Sequence, residues 1–281
     1  MKVRAFYMKK FFGTTYYVVS RLLVIYFIVA TAMYFLQDSM IYKPDKSLKL
    51  QQYQLPQPWQ TVTLNTSDEL QLTSWYLPAE TGEKTILYLH GNGGDIANRV
   101  GLAKLFKQYG YGMFLLEYRG YADNPGKPSE TGLYQDSLAA YQWLIEQGVN
   151  PENIIVYGES LGAALAIRLA AEQPVGGLIL DTPFYSMLAM ANSLYPFLPN
   201  ELLLKDKYES YRYAPEVTVP TIIFYGMEDE MIPLRQVTNL YSLIKSDNKL
   251  LVLIPGQLHN YKDMNLIVNM VALQDALTKD L

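Results

Sequence analysis

A serine lies between two glycines in Gly158–Gly162 (GESLG), with the apolar run Ile154–Tyr157 before it and small residues after it. A strand that turns sharply into a helix crowds its own backbone, and glycines relieve the crowding because they lack Cβ. A serine at such a turn projects from the sheet edge, next to the helix N-terminus, which stabilises developing negative charge. The pattern predicts that Ser160 is a nucleophile.

A serine nucleophile needs a general base, and the sequence contains two histidines, His90 and His259. Where a G-x-S-x-G turn carries the nucleophile, the chain order is serine, acid, histidine. We therefore assign the base to His259, which follows the last predicted strand. His90 precedes the serine, and we interpret it as a structural residue that holds the adjacent loop.

The acid that orients the histidine is expected after the strand predicted at Thr221–Phe224. The following loop contains Glu228, Asp229 and Glu230. We choose Asp229 and interpret the two glutamates as solvated loop charges. Asp181, which follows the preceding strand, is the alternative acid.

Two backbone N–H groups are needed to hold an oxyanion. One is predicted from Leu161, the residue after the nucleophile. The second is predicted from Asn92 in the loop His90–Gly94 (HGNGG), although a plain glycine turn is the alternative for this loop. The predicted substrate contacts are Gly91, Gly93, Glu159, Phe184 and Tyr185.

The composition excludes several kinds of site. The 281-residue chain has no cysteine and two histidines, so disulfides, thiol nucleophiles and Cys-ligated zinc are excluded, and we predict no metal or cofactor. The first 21 residues carry five of the 23 basic side chains and none of the 27 acidic ones, which leaves a formal charge of −9 on the remainder. So acidic a body is a poor partner for nucleic-acid phosphates, and no nucleic acid is expected.

An apolar segment lies near the N-terminus, at Leu22–Leu36, and Phe11–Ser20 extends it beyond Arg21. We favour a retained signal-anchor helix. The preceding positive charges predict a cytoplasmic N-terminus and a translocated catalytic body. A cleaved signal peptide is the first alternative, because Ala30-Thr31-Ala32 fits a small-x-small cleavage site. A helix packed on a soluble body is the second.

The body alternates between apolar runs and helical stretches. Two alternating segments, 61–64 and 70–77, predict an antiparallel hairpin. Continuous apolar runs then predict strands at 86–89, 112–116, 154–157, 178–180, 221–224 and 250–254, with helices at 133–147, 161–172 and 234–244. This order predicts an α/β fold with a mostly parallel sheet covered by helices on both faces.

About 40 residues rich in Tyr, Leu, Pro and Met separate the strands at 178–180 and 221–224. A connection of this length is usually functional. We interpret residues 183–216 as a short helical cap over the site, with a surface helix of no role in substrate choice as the alternative.

The predicted division of the chain is a membrane anchor and connection at 1–45 and a catalytic domain at 46–281.

These features together resemble the α/β-hydrolase superfamily, and in particular its small membrane-anchored α/β-hydrolase domain-containing proteins. The resemblance rests on the apolar N-terminus and on the segments 41–44, 90–94, 117–121, 128–133, 158–162, 226–233 and 259–260. The sequence departs from it at Tyr121–Gly126, where Gly-x-Ser-x-Gly is usual, and at Glu117, where Asp is common. The resemblance implies the α/β-hydrolase fold and hydrolysis of esters, thioesters or amides without a cofactor.

The favoured function is an esterase, lipase or acyl-thioesterase acting on lipid-like acyl groups, because an apolar anchor and an aromatic, Met-rich cap occur together. A serine peptidase or amidase on the same scaffold is the alternative. Such an enzyme would use an acid such as Glu159, Glu201 or Asp206 to bind a peptide terminus. A non-enzymatic membrane protein is the third hypothesis, against which the complete set of serine, histidine and acid argues.

Overall fold

The computed structural model describes residues 2–259 and 263–279. Its main sheet has eight strands, in the order β10 (Lys249–Ile254), β9 (Thr221–Gly226), β8 (Gly177–Asp181), β7 (Ile154–Glu159), β4 (Thr85–Leu89), β6 (Gly112–Leu116), β3 (Gln71–Leu77) and β2 (Gln60–Asn65). The strands β2 and β3 form the predicted antiparallel hairpin, β3 pairs antiparallel with β6, and the remaining pairs are parallel. The predicted α/β-hydrolase fold is confirmed.

The elements follow the alternation of the sequence. The strands are β1 Lys43–Pro44, β2 Gln60–Asn65, β3 Gln71–Leu77, β4 Thr85–Leu89, β5 Gly93–Gly94, β6 Gly112–Leu116, β7 Ile154–Glu159, β8 Gly177–Asp181, β9 Thr221–Gly226 and β10 Lys249–Ile254. The α-helices are α1 Lys2–Ile41, α2 Val100–Lys107, α3 Glu130–Glu146, α4 Leu161–Glu172, α5 Met187–Leu194, α6 Asn200–Leu203, α7 Ser210–Tyr213, α8 Leu234–Leu243 and α9 Met264–Lys279. Short 3-10 helices lie at Leu50–Gln52, Ile96–Arg99, Pro151–Asn153 and Ala214–Glu216.

The central strands are buried on both faces, as their continuous apolar runs require. One core cluster contains side chains of α3, α4 and α8, and a second contains side chains of α2 and α9. The sheet is therefore covered on both sides, and its carboxyl edge is left for loops that can form a site.

Three short helices, α5, α6 and α7, lie in the long connection between β8 and β9. This is the segment predicted as a cap, and the domain division at residue 45 stays a prediction. Asn260, part of the resemblance, lies outside the described residues.

The N-terminal helix α1 contains a stretch, Thr15–Ile41, that is long and apolar enough to cross a bilayer. At 1.5 Å per residue its 27 residues extend about 40 Å, against a hydrocarbon core of about 30 Å. Most of its side chains are exposed, but Ala30, Gln37 and Ile41 are buried and Met33 is half-buried. These four recur at a spacing of three to four residues and form one stripe that faces the body.

The turn between β7 and α4 depends on two glycines. A Cβ on Gly158 would lie 2.5 Å from Ala163 Cα, and one on Gly162 would lie 2.0 Å from the carbonyl oxygen of Leu89. Non-bonded atoms do not approach each other so closely. The first turn of α4 can therefore pack against β7 and the end of β4 only because Gly158 and Gly162 have no side chain.

We expect Gly162→Ala to lower the free energy of unfolding by about 1–3 kcal/mol or more, because the methyl group would force α4 away from β4. Denaturant unfolding of the detergent-solubilised protein would measure it. Gly101→Ala in α2 is the control, since nothing lies within 4 Å of its added Cβ and alanine favours a helix. Equal stability of the two variants would contradict the close approach.

Candidate active site

Ser160 lies between β7 and α4 in a strained backbone conformation, with φ 50° and ψ −109°. A positive φ in a non-glycine residue is uncommon and persists only where the surroundings impose it. Here the Ser160 N–H donates to the Asp181 carbonyl at 2.8 Å, and the flanking glycines permit the turn. The serine is therefore held at the carboxyl edge of the sheet, as the sequence predicts for a nucleophile.

The His259 and Asp229 side chains form a pair, with Nδ1 2.8 Å from Oδ2. The Asp229 side chain is fully buried and that of His259 is 7% exposed. The other carboxylate oxygen, Oδ1, accepts the backbone N–H groups of Met231 and Ile232 at 2.8 Å each. The carboxylate is thus fixed in orientation by its own loop.

Burial raises the pKa of Asp229, but the hydrogen bonds from His259, Ile232 and Met231 outweigh burial and leave that pKa below its ordinary value. Asp229 is therefore ionised at neutral pH, and its Oδ2 accepts a hydrogen bond from the Nδ1–H of His259. The second ring nitrogen, Nε2, is then the one able to accept a proton, as serine hydrolysis requires.

Glu230, which the sequence indicated only as a solvated loop charge, also contacts the backbone of His259. Its side chain is exposed, yet Oε2 accepts the backbone N–H of His259 at 3.2 Å. The loop after β9 therefore holds the histidine at two points, through Asp229 and Glu230. No sequence signal separates Glu230 from Glu228, because the contact depends on how the two loops meet.

The two predicted oxyanion donors lie on the same cavity as Ser160 and His259. Leu161 begins α4, so its N–H is among those that have no partner within the helix. Asn92 accepts hydrogen bonds at its carbonyl from Lys43 N and Tyr121 Oη, both at 2.8 Å, and its side chain donates to the Ile41 carbonyl at 2.8 Å. None of these bonds uses the Asn92 backbone N–H.

His90 is fully buried next to the glycine loop. Its Nδ1 lies 2.7 Å from the Gly91 carbonyl oxygen and its Nε2 lies 3.0 Å from Glu117 Oε1. Glu117 also accepts the Ile96 N–H at 3.0 Å. The structural role predicted for His90 fits these contacts, and Glu117, where the resemblance departs from Asp, is its partner.

The cavity has a volume of about 230 Å³ and is mainly apolar. Ser160, Leu161, Asn92 and His259 line one side. Among the described residues, no Asp, Glu, Lys or Arg side chain lines it. An uncharged apolar group is what such a cavity can hold.

The predicted substrate contacts divide into two groups. Phe184 lines the cavity, whereas Gly91, Gly93, Glu159 and Tyr185 are not among the described lining residues. Gly93 pairs with Lys43 in the β1–β5 ladder, and an added Cβ on Gly91 would lie 3.6 Å from Ser160 Cβ.

Glu159 and Tyr185 are bound by neighbouring side chains. Glu159 Oε2 accepts from Tyr88 Oη and pairs with Arg99, whose Nη2 lies at 2.9 Å. The Tyr185 ring stacks on that of Tyr211 with centroids 4.8 Å apart.

Helix α1 contributes to the wall of the cavity, which the sequence pattern did not predict. Met33, Gln37, Met40 and Ile41 line the cavity together with side chains of α5 and α6. The spacing of three to four residues along α1, with a single polar amide in an apolar helix, is the signal that could have indicated it.

Among the residues that the structure describes, no group of three His, Cys, Asp or Glu side chains could hold a metal ion.

Comparisons with known proteins agree with this fold. The α/β hydrolase fold family model matches residues 84–205. The uncharacterized protein Rv2307c of Mycobacterium tuberculosis is 38% identical over 202 residues, covering 71% of this chain and 72% of that protein. Protein bem46 of Schizosaccharomyces pombe is 31% identical over 213 residues, covering 72% of this chain and 71% of that protein.

A structure of the Pyrococcus furiosus esterase Pf2001 superposes with a TM-score of 0.67 at 19% identity, covering 84% of this chain and 98% of that one. The chain belongs to the α/β-hydrolase family. Family membership supports a hydrolase.

We expect Glu159→Gln to lower the free energy of unfolding by about 1–3 kcal/mol, because it leaves the partly buried Arg99 without a charged partner. Thermal and denaturant unfolding would measure it, with the exposed Glu152→Gln as the control. Unchanged stability with altered substrate affinity would show instead that Glu159 contacts substrate.

Proposed function

We propose that this protein is a serine hydrolase that cleaves acyl esters or thioesters, with Ser160 as nucleophile, His259 as base and Asp229 as the orienting acid. The observation that carries the proposal is that the His259–Asp229 pair and the strained Ser160 meet at one cavity. The order of these residues in the chain is the order that the family uses.

In the proposed reaction, His259 Nε2 takes the proton of Ser160 Oγ as that oxygen attacks the acyl carbonyl carbon. The backbone N–H groups of Leu161 and Asn92 hold the resulting oxyanion. Collapse of the intermediate breaks the bond to the alcohol or thiol, which leaves with the proton from His259. Water, deprotonated by His259, then attacks the acyl-serine and releases the acid, and the proton returns to Ser160.

The cavity favours an apolar acyl group over a peptide terminus. The three acids that a peptidase could use are engaged elsewhere: Glu159 with Arg99, Glu201 with Lys207 at 2.6 Å, and Asp206 with Tyr42 Oη at 2.7 Å. None of them lines the cavity. We therefore place the substrate among uncharged, lipid-like acyl compounds.

The proposed location is a membrane, with α1 retained as an anchor. Only 6% of its most apolar stretch is buried in the protein, so the exposed apolar side chains need another apolar environment. The basic residues lie on the N-terminal side, which favours a cytoplasmic N-terminus and a catalytic body outside the cytoplasm.

The proposal predicts that a fluorophosphonate probe labels the wild-type protein in isolated membranes and does not label Ser160→Ala. Ser160 Oγ would attack the phosphorus and displace fluoride, so only an activated serine reacts. Labelling is measured by in-gel fluorescence, and Ser242→Ala, which changes an exposed serine near the end of α8, is the control. Labelling of Ser160→Ala, or of neither protein, would overturn the assignment.

Asp229→Asn should lower the labelling rate of Ser160 about 10³–10⁴-fold, because an amide no longer selects the tautomer with the proton on Nδ1. Glu228→Gln, one residue away and exposed, is the matched control and should label at the wild-type rate. If the two variants reacted equally fast, Asp229 would not be the acid, and Asp181 would be examined in its place.

A further inference from the structure

The helix that resembles a membrane anchor also forms a wall of the candidate active site. Met33, Gln37 and Ile41 line the cavity from one side, and they belong to the single stripe of α1 that faces the body. Met187, Met190 and Leu194 of α5 line it from the cap. The cavity therefore lies between the cap and the last turns of α1.

Specific polar contacts hold α1 against the cap. The buried amide of Gln37 donates through Nε2 to the Leu203 carbonyl at 3.0 Å and accepts the Lys205 N–H through Oε1 at 2.8 Å. An amide that satisfies two backbone groups fixes both the position and the rotation of the helix. Tyr42, directly after α1, adds a hydrogen bond to Tyr208 Oη at 2.8 Å.

The sides of α1 that turn away from the cavity are apolar and exposed at the same level. Phe35 is 71% exposed and Leu36 is 56% exposed, although they neighbour Met33 and Gln37 in the chain. On the cap, Leu194, Phe197 and Leu202 are also exposed. An apolar surface that continues from a helix able to span a bilayer onto the adjoining cap is suited to contact with lipid.

We propose that α1 is a specificity-determining wall of the acyl site, and that the acyl chain of a membrane lipid enters between α1 and the cap directly from the bilayer. This inference rests on the proposed function and names its substrate class. The acyl chain would pass from the hydrocarbon core to Ser160 along Met33 without crossing water. Acyl length is then selected partly by residues of the anchor.

The test compares the labelling rates of Ser160 by ethyl and dodecyl fluorophosphonates, using the full chain in phosphatidylcholine vesicles. Met33→Trp fills the cavity from the α1 side, and Leu36→Trp places the same ring on the exposed face as a matched control. We expect Met33→Trp to lower the ratio of dodecyl to ethyl rates by about tenfold or more relative to wild type, and Leu36→Trp to leave the ratio unchanged. Because every variant is measured in the same vesicles, the different partitioning of the two probes into the bilayer affects all rate ratios equally and cancels.

A second pair of variants guards against misfolding of Met33→Trp. Gln37→Ala removes the two bonds to the cap and should also lower the dodecyl-to-ethyl ratio, whereas Ser39→Ala on the exposed face should not. Equal ratios in wild type, Met33→Trp and Gln37→Ala would overturn the role of α1 while leaving the serine hydrolase intact. Failure of both probes on the wild type would instead overturn the proposed function, and this inference with it.

Discussion

The first turn of α4 lies against the end of β4 without intervening side chains, and the site depends on this contact. Because Gly162 has no Cβ, its backbone fits against the Leu89 carbonyl, where β4 ends and the loop with His90 and Asn92 begins. The proposed nucleophile, Ser160, and the proposed second oxyanion donor, Asn92, come from segments about 70 residues apart in the sequence. They adjoin one cavity because parallel neighbours β4 and β7 end at the same edge and pack without a gap.

Polar and charged pairs support this edge from behind, and among the described residues no Asp, Glu, Lys or Arg side chain lines the cavity. His90 with Glu117, Arg99 with Glu159 and Arg119 with Asp136 are buried or partly buried pairs that fix the loops around the site. Buried ion pairs are rarely a large net source of stability, but removing one partner is costly, so they hold loops in defined positions. Among the described residues, the cavity lining is apolar apart from Ser160, His259, Tyr195 and the amides of Gln37, Asn92 and Asn200.

The sequence was enough to predict the fold, and five of its predicted site residues line one cavity: Asn92, Ser160, Leu161, Phe184 and His259. Strands such as β6 follow from local apolar runs. The start of α4 follows from Gly158 and Gly162, whose effect is confined to a few residues. The wall formed by α1 and the bond from Glu230 to His259 were not predicted, because each depends on contacts between segments far apart in the chain. Glu159 was predicted to contact substrate, but it pairs with Arg99 and does not line the cavity. This pairing was not predicted for the same reason.

The end of α1 is joined to the loop that contains the proposed oxyanion donor Asn92. The connection consists of the ladder between Lys43–Pro44 and Gly93–Gly94 and of the hydrogen bond from the Asn92 side-chain amide to the Ile41 carbonyl. A shortened, soluble form that starts after Ile41 would retain serine, histidine and aspartate, but its loop would lose one support and its cavity would open to solvent. Turnover and chain-length preference measured on such a form would describe a different catalyst. Purification of this protein should therefore keep the helix and supply it with lipid or detergent.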